Sequence, residues 1–271
     1  MTNKTKWHRI FGLTLIDYFT GSNYHVDLEK ELTEKKQYLD VLIIEQSDGQ
    51  PITQLPDGLE NLAAHNLLTY KSLAEPLNAW ALEELIGHYA SYRKQISPSK
   101  DDLFPRADFK LYAVSTRYPH NLSDDVKARI TTIQSGVYDI QLGIRTIRLI
   151  VLSRMPKAKR NAIWHLFNAK ADSFVYGNKH YDWQSPAEKA ALNQLYDLYQ
   201  VEGVVMSYTW EDFEKDYTRE HLHLLPQEDL LKAVTPEAVL KHFSVQDLLK
   251  GLIQKGLPLE AIEEYFSKHQ K

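Results

Sequence analysis

The spacing of apolar residues predicts the elements of the N-terminal part of the chain. Apolar and aromatic side chains recur at helical spacing from Trp7 to Tyr18 and form one buried stripe. Uneven alternation over 24–33 is typical of an exposed or edge strand. The run 39–45 predicts an inner strand, because its apolar residues are interrupted only by Asp40. The same patterns predict a long helix ending near Ser97 and further strands at 65–72, 109–116, 137–142 and 144–153, the last two forming a hairpin.

This order of elements predicts a mixed α/β core for residues 1–155. Residues 156–225 have a helical pattern rich in aromatic side chains, which we expect to pack helices against the sheet. Exposed platforms for base stacking are the alternative. Residues 226–271 contain a weak repeat that predicts short stacked helices, and we expect this tail to act as a docking or oligomerisation arm. The repeated segments are 226–232, 236–241 and 245–250.

Composition limits the classes of function. The chain has 271 residues, of which 43% are hydrophobic and 25% charged, as in an ordinary globular protein. It has no cysteine, which excludes disulfides, thiolate catalysis and thiolate zinc sites. The absence of an apolar run near the roughly 20 residues of a membrane span, and of a signal peptide, leads us to expect a cytoplasmic protein without membrane contact. The formal charge of −4 provides no general basic field for nucleic acid, although a local basic groove can exist on an acidic protein.

Two predicted strands carry charged side chains that suggest a metal site. Asp40 opens an inner strand, where an unpaired buried carboxylate is costly and a bound cation would offset that cost. An acid at the solvated end of the strand is the alternative. Alternation along 65–72 places His65, Thr69 and Lys71 on one face, so Thr69 and Lys71 can border the same cleft.

The long helix adds a second acid. At about 100° per residue, Glu83 falls opposite the buried stripe, whereas Glu84 falls at its flank, one turn before His88. Glu84 can therefore face a cleft beside the sheet, although a helix-edge acid paired with His88 is the alternative. Carboxylates hold Mg²⁺, and a nearby ammonium such as that of Lys71 stabilises a phosphoryl transition state. Asp40, Lys71 and Glu84 therefore predict a site for phosphodiester hydrolysis.

Four segments carry a resemblance to a known superfamily. They are Leu39–Ile43, Asn66–Ser72, Glu84–Tyr89 and Tyr92–Gln95. The chain resembles the PD-(D/E)XK nucleases over roughly residues 7–155, and within them the Rpn or putative-transposase group of bacterial proteins. The resemblance implies a restriction-endonuclease-like mixed sheet flanked by helices, an α-helical C-terminal extension, Mg²⁺ or Mn²⁺ as cofactor, and DNA as partner.

The resemblance also implies roles for particular residues. Asp40 matches the metal-binding aspartate of the family and Lys71 matches its lysine. Thr69 stands where the family has an acid and cannot supply a carboxylate. Some members of the superfamily move this acid to the following helix, and Glu84 fits such a migration, so that Asp40 and Glu84 would hold the metal. The expected auxiliary residues are His65, Thr69 and His88.

Three functions remain open at this point. The first is an active Mg²⁺-dependent deoxyribonuclease. The second is a catalytically inactive nuclease fold that binds DNA or protein. The third is a scaffold that acts through residues 226–271, either as a homo-oligomer or with a protein partner.

Overall fold

The structure, a computed structural model, describes residues 3–31, 38–46, 48–184, 191–201, 203–204, 215, 226, 228, 244–256 and 258–269. The chain divides into two compact units, Met1–Tyr208 and Thr209–Lys271. The predicted division after residues 155 and 225 stays a prediction.

The first unit is an α/β structure whose described residues form a mixed sheet of seven strands. The strands are β1 (Tyr24–Glu31), β2 (Tyr38–Glu45), β3 (His65–Lys71), β4 (Phe109–Ser115), β5 (Ile130–Gln134), β6 (Val137–Leu142) and β7 (Arg145–Val151). The helices are α1 (Asn3–Phe19), α2 (Ala79–Ile96), α3 (Asp124–Lys127), α4 (Ala162–Leu166), α5 (Ala171–His180) and α6 (Ala191–Val201).

The strand order across the sheet is β1-β2-β3-β4-β7-β6-β5. β2 is antiparallel to both β1 and β3. The three inner strands β3, β4 and β7 are parallel to one another. β6 is antiparallel to both β7 and β5. The predicted α/β class is confirmed, with helices flanking a mixed sheet. The sequence does not predict β5, an edge strand in which four of five side chains are exposed. Such a strand shows little apolar alternation because neither face is buried.

Helices cover both faces of the sheet at β3, where six of seven residues are buried. On one face, Leu85 of α2 belongs to the apolar cluster that contains Leu67 and Leu111. On the other face, Phe11 of α1 stacks on Tyr70 with 4.2 Å between the ring centroids. A polar side chain at the carboxyl end of β3 is therefore held in a confined space.

Aromatic residues from the segment after 155 complete the core on the α1 face. Trp164 and Phe167 are fully buried, and Tyr199 is almost so. Both Trp164 and Phe167 contact the ring of Phe11. Phe167 also contacts the ring of Tyr70 in β3. The packing of the whole segment 156–225 against the sheet stays a prediction. The predicted members Tyr208, Trp210, Phe213 and Tyr217 lie outside the described residues.

The long β2–β3 loop is fastened to α4 through Asp57. Arg160 donates from Nε to Asp57 Oδ1 at 2.6 Å and from Nη2 to Oδ2 at 3.1 Å. Asn161 donates to Oδ2 at 2.7 Å, and the indole of Trp164 donates to the Asp57 carbonyl at 3.0 Å. These bonds satisfy a buried carboxylate and fix the path of the loop.

The second unit contains two described helices, α7 (Val245–Gln254) and α8 (Leu259–His269). The third copy of the predicted repeat, 245–250, lies within α7. The other two copies lie almost wholly outside the described residues, so the stacking of repeats stays a prediction. Within the part of the chain that the structure describes, no helix is both long enough and apolar enough to cross a membrane.

Candidate functional site

Polar side chains gather where β3 ends, beside the start of β2. The register between these strands ends at Val41 and Leu68. Beyond that pair, the backbone N–H of Tyr70 donates to Asp40 Oδ2 at 2.9 Å, and the Thr69 hydroxyl donates to the same oxygen at 2.9 Å. The Asp40 carboxylate thus links the two strands where their backbone pairing stops.

His8 of α1 contacts the other oxygen of this carboxylate. Its Nδ1 lies 2.9 Å from Asp40 Oδ1, and its Nε2 lies 3.3 Å from Glu75 Oε2. Burial lowers the pKa of His8, but the neighbouring carboxylates of Asp40 and Glu75 outweigh that effect and raise the pKa to about 9. His8 is therefore protonated at neutral pH and forms an ion pair with each carboxylate, although the contact between Nε2 and Glu75 Oε2 does not have hydrogen-bond geometry.

Lys71 joins the same group of charges. Its Nζ lies 3.1 Å from Glu75 Oε1, and its side chain is only 8% exposed. Glu75 lies in the turn after β3, where its backbone N–H donates to the carbonyl of Ser72 at 3.2 Å. We call His8, Asp40, Lys71 and Glu75 the site quartet. It contains two positive and two negative groups, so its formal charges balance.

The Asp40 carboxylate remains ionised within the quartet. Burial pushes the pKa of Asp40 upward, but the hydrogen bond and charge of His8, the charge of Lys71 and the N–H of Tyr70 outweigh it. The pKa of Asp40 is therefore held below its usual range.

Of the residues predicted on α2, His88 lies near enough to the quartet for the charges of Asp40 and Lys71 to act on it. Glu83 is exposed and Glu84 is half-buried, as the helical wheel predicts, while His88 is buried. Burial lowers the pKa of His88, the charges of Glu84 and Asp40 oppose this, and the charge of Lys71 adds to it. His88 is therefore neutral at neutral pH and lies in the electrostatic field of the quartet. Joint metal binding by Asp40 and Glu84 stays a prediction.

The structure places His65 at the other end of β3. It pairs with Ile44 and Phe109, and its Nδ1 lies 3.1 Å from the hydroxyl of Tyr92. His65 and Thr69 are four positions apart, which is about 13 Å along a strand. His65 shares the predicted face of β3, but it does not join the quartet.

The donor atoms of the quartet suit a hard divalent cation. Mg²⁺ takes oxygen ligands and is often held by one or two carboxylates together with water. Asp40 Oδ1 and Glu75 Oε2 lie on opposite sides of the His8 ring. Among the described residues, no group of three or more His, Asp and Glu side chains converges as a complete metal site.

The sequence does not predict His8 and Glu75. On the helical wheel, His8 lies at the flank of the buried stripe of α1, just as Glu84 lies at the flank of the stripe of α2. This position is the only feature of the sequence that could have indicated a role for His8. Glu75 follows Lys71 by four residues, which is the spacing of an ion pair on a helix, but this segment is a turn.

Comparison of the chain with protein-family models, with curated proteins and with solved structures finds no significant match. Function is therefore inferred from the geometry and charges of the site quartet and its neighbours.

Proposed function

We propose that the protein is a metal-dependent nuclease that hydrolyses DNA phosphodiester bonds. The observation that carries this proposal is the meeting of Asp40 and Lys71 in one buried quartet at the carboxyl end of β3. In open α/β sheets, the carboxyl ends of parallel strands are the usual location of ligand sites. The element order α1-β1-β2-β3-α2-β4 supports a restriction-endonuclease-like core of the PD-(D/E)XK type, with a helical C-terminal extension.

In this proposal each residue near the quartet has a defined task. Asp40 and Glu84 would hold Mg²⁺ or Mn²⁺, which offsets negative charge on the phosphate and lowers the pKa of a water molecule. Lys71 exchanges its contact with Glu75 for a phosphate oxygen and stabilises the charge that develops there. Thr69 keeps the Asp40 carboxylate oriented through its hydrogen bond. His88, being neutral, is able to accept a proton.

A catalytically inactive binding module is the second candidate, and a specific observation favours it. Both oxygens of Asp40 already have partners, and the charges of the quartet cancel. Thr69 also occupies the position where the superfamily has an acid. In this alternative, Asp40 is a structural residue that joins β2, β3 and α1, and the fold binds DNA without cleaving it.

Cleavage of supercoiled plasmid in Mg²⁺ or Mn²⁺ tests the proposal. Asp40→Asn and Lys71→Met should each lower the nicking rate by about 100-fold, as expected for removing one transition-state contact. Lys94→Met is the matched control, because Lys94 is an exposed cation on α2. Unfolding curves followed by tryptophan fluorescence establish that each variant is folded. Nicking that is unchanged in both Asp40→Asn and Lys71→Met refutes the site.

The same assay assigns the second acid. Glu84→Gln should abolish most of the nicking, whereas Glu83→Gln, its exposed neighbour, should have no effect. If Glu75→Gln loses nicking while Glu84→Gln keeps normal activity, Glu75 and not Glu84 is the second metal ligand.

DNA binding separates the two candidate functions. A wild-type protein that binds DNA without nicking it, with an affinity that falls steeply as salt rises, is a binding module. In that case Asp40→Asn should change the free energy of unfolding and leave the affinity for DNA nearly unchanged.

A further inference from the structure

The three parallel strands β3, β4 and β7 end at the same edge of the sheet, where their backbones form one hydrogen-bonded row. The N–H of Thr116 donates to the carbonyl of Lys71 at 3.0 Å, and the N–H of Ser153 donates to the carbonyl of Thr116 at 3.0 Å. Arg154 follows Ser153 directly. Neighbouring strands lie about 4.8 Å apart, so the backbones of Lys71 and Arg154 are separated by two strand spacings, or about 10 Å. Arg154 therefore lies at the edge of the sheet that carries the site quartet.

Arg154 and the quartet also share one face of the sheet. Thr69 pairs with Ala113 across β3 and β4, and Ala113 pairs with Leu149 across β4 and β7. Leu149 in turn pairs with Tyr138 across β7 and β6. Paired residues point to the same face, so Tyr138 lies on the face on which the Thr69 hydroxyl meets the quartet. Arg154 donates from Nη1 to the hydroxyl of Tyr138 at 2.8 Å, which places its guanidinium on that face.

Two tyrosine rings hold the side chain of Arg154. Its guanidinium carbon lies 3.9 Å from the ring centroid of Tyr118 and 5.9 Å from that of Tyr138. Both rings pack in or against the apolar cluster that contains Leu85 of α2, which fixes their positions. Stacking uses only the flat face of a guanidinium and leaves its N–H edge for hydrogen bonds. Arg154 is exposed, so this edge is accessible to a ligand.

Each of the three strand ends carries a cation, and two of the three have no acidic partner in the described ranges. Lys71 is paired with Glu75. Among the residues that the structure describes, no carboxylate lies within ion-pair distance of Arg154 or of Arg117, the exposed residue after Thr116. Many exposed arginines are simply solvated. Arg154 differs because its aromatic neighbours hold it in one orientation, which reduces the entropy lost when it binds an anion.

We propose that Arg154 binds a backbone phosphate of the DNA strand on which the site quartet acts. This inference rests on the proposed nuclease function and names a residue that positions its substrate. The planar fork of a guanidinium matches the oxygens of a phosphate and forms two parallel N–H bonds with them. Each strand of B-DNA carries one phosphate per about 3.4 Å of helix axis, so the roughly 10 Å between Lys71 and Arg154 spans about three phosphates. One DNA strand can therefore contact both residues.

Fluorescence anisotropy of a labelled DNA duplex tests this inference with the full-length protein over a series of salt concentrations. EDTA is present, so that a metal-dependent activity does not cleave the DNA. Arg154→Gln should weaken binding about tenfold at low salt, because a charge-assisted bidentate contact is lost. It should also reduce the slope of log K against log salt by about 0.9, the value for one phosphate contact.

Two further variants make the test specific. Arg106→Gln is the matched control, because Arg106 is an exposed arginine beside the amino end of β4, at the opposite edge of the sheet. It should change neither the affinity nor the slope. Arg154→Lys keeps the charge and should therefore keep the wild-type slope, but it should bind more weakly because it lacks the planar fork.

Two results overturn the inference. One is an Arg154→Gln protein that binds DNA with the same affinity and slope as the Arg106→Gln protein. The other is the absence of DNA binding by the wild type at the lowest salt. Plasmid nicking by the wild type tests the proposed function separately, so nicking with normal binding by Arg154→Gln refutes only the role of Arg154. If tryptophan fluorescence shows that Arg154→Gln does not fold, Arg154→Lys decides, and wild-type affinity in that variant overturns the inference.

Discussion

The charge of His8 should make the stability of the first unit depend on pH. The pKa of His8 is about 9 in the folded protein and 6.5 as its ordinary value. A group whose pKa is raised by folding stabilises the protein fully below its unfolded pKa, and this stabilisation is lost as pH rises through the folded pKa. At about 1.4 kcal/mol per pH unit, the contribution of His8 is about 3 kcal/mol. The loss should therefore occur between pH 6.5 and about 9.

The assay compares urea unfolding of the wild type and of His8→Gln across this pH range, with EDTA present to exclude metal. Glutamine keeps a hydrogen-bond donor but does not titrate. Trp7 and Trp164, both buried in the first unit, report its unfolding by fluorescence. The difference in free energy of unfolding between wild type and His8→Gln should shrink by about 3 kcal/mol between the lower and the upper end of the range.

His25→Gln is the matched control. His25 also contacts a carboxylate, with its Nε2 2.9 Å from Asp27 Oδ1, but its side chain is 53% exposed. Exposed ion pairs contribute little, so His25→Gln should change the free energy of unfolding by less than about 0.5 kcal/mol. Parallel pH profiles for the wild type and His8→Gln would refute the raised pKa of His8 and the charge balance of the quartet.

Urea unfolding tests three further predictions. Asp57→Ala should destabilise the first unit by about 3 kcal/mol, because its arginine and asparagine partners lose a buried acceptor; Asp182→Ala, whose ion pair is exposed, should cost less than about 0.5 kcal/mol. Gly58→Ala should destabilise by more than about 1 kcal/mol, since Gly58 has a φ of +97° and an added Cβ would lie 2.7 Å from a core isoleucine. Gly87→Ala, in open space on α2, should instead stabilise by about 0.5–1 kcal/mol. Thr69→Val should cost about 1 kcal/mol by removing the hydrogen bond to the buried aspartate, whereas Thr69→Ser should be nearly neutral.

The part of the site that the sequence predicts is the part set by local periodicity. Alternation along β3 places Thr69 and Lys71 on one face, and in the structure Thr69 bonds to Asp40 at the start of β2 while Lys71 pairs with Glu75 in the same quartet. The helical wheel of α2 distinguishes exposed Glu83 from half-buried Glu84. In each case the period of the element decides which side of a single strand or helix is buried. That information is present in a few neighbouring residues.

The part that the sequence does not predict depends on how distant elements pack. His8 reaches Asp40 because α1 crosses the sheet so that its first turns lie beside the start of β2, and no local pattern specifies that crossing. Glu75 faces His8 and Lys71 because the turn after β3 folds back onto them. Both contacts join segments that are brought together only by the tertiary fold, so a pattern within either segment does not reveal them.

The energetics of the quartet bear on the choice between the two candidate functions. Four ionised groups in a confined space lose much of their hydration, and buried ion pairs of this kind are often no more stabilising than apolar residues of similar volume. A quartet that serves stability alone would therefore join β2, β3 and α1 with little net gain in folding free energy. In the proposed nuclease the same charges would have a further use, because His8 and Lys71 lower the pKa of Asp40 and would give way to metal and phosphate. The two candidates thus differ in one measurable property: in a nuclease, Asp40→Asn removes nicking, whereas in a binding module it removes only stability.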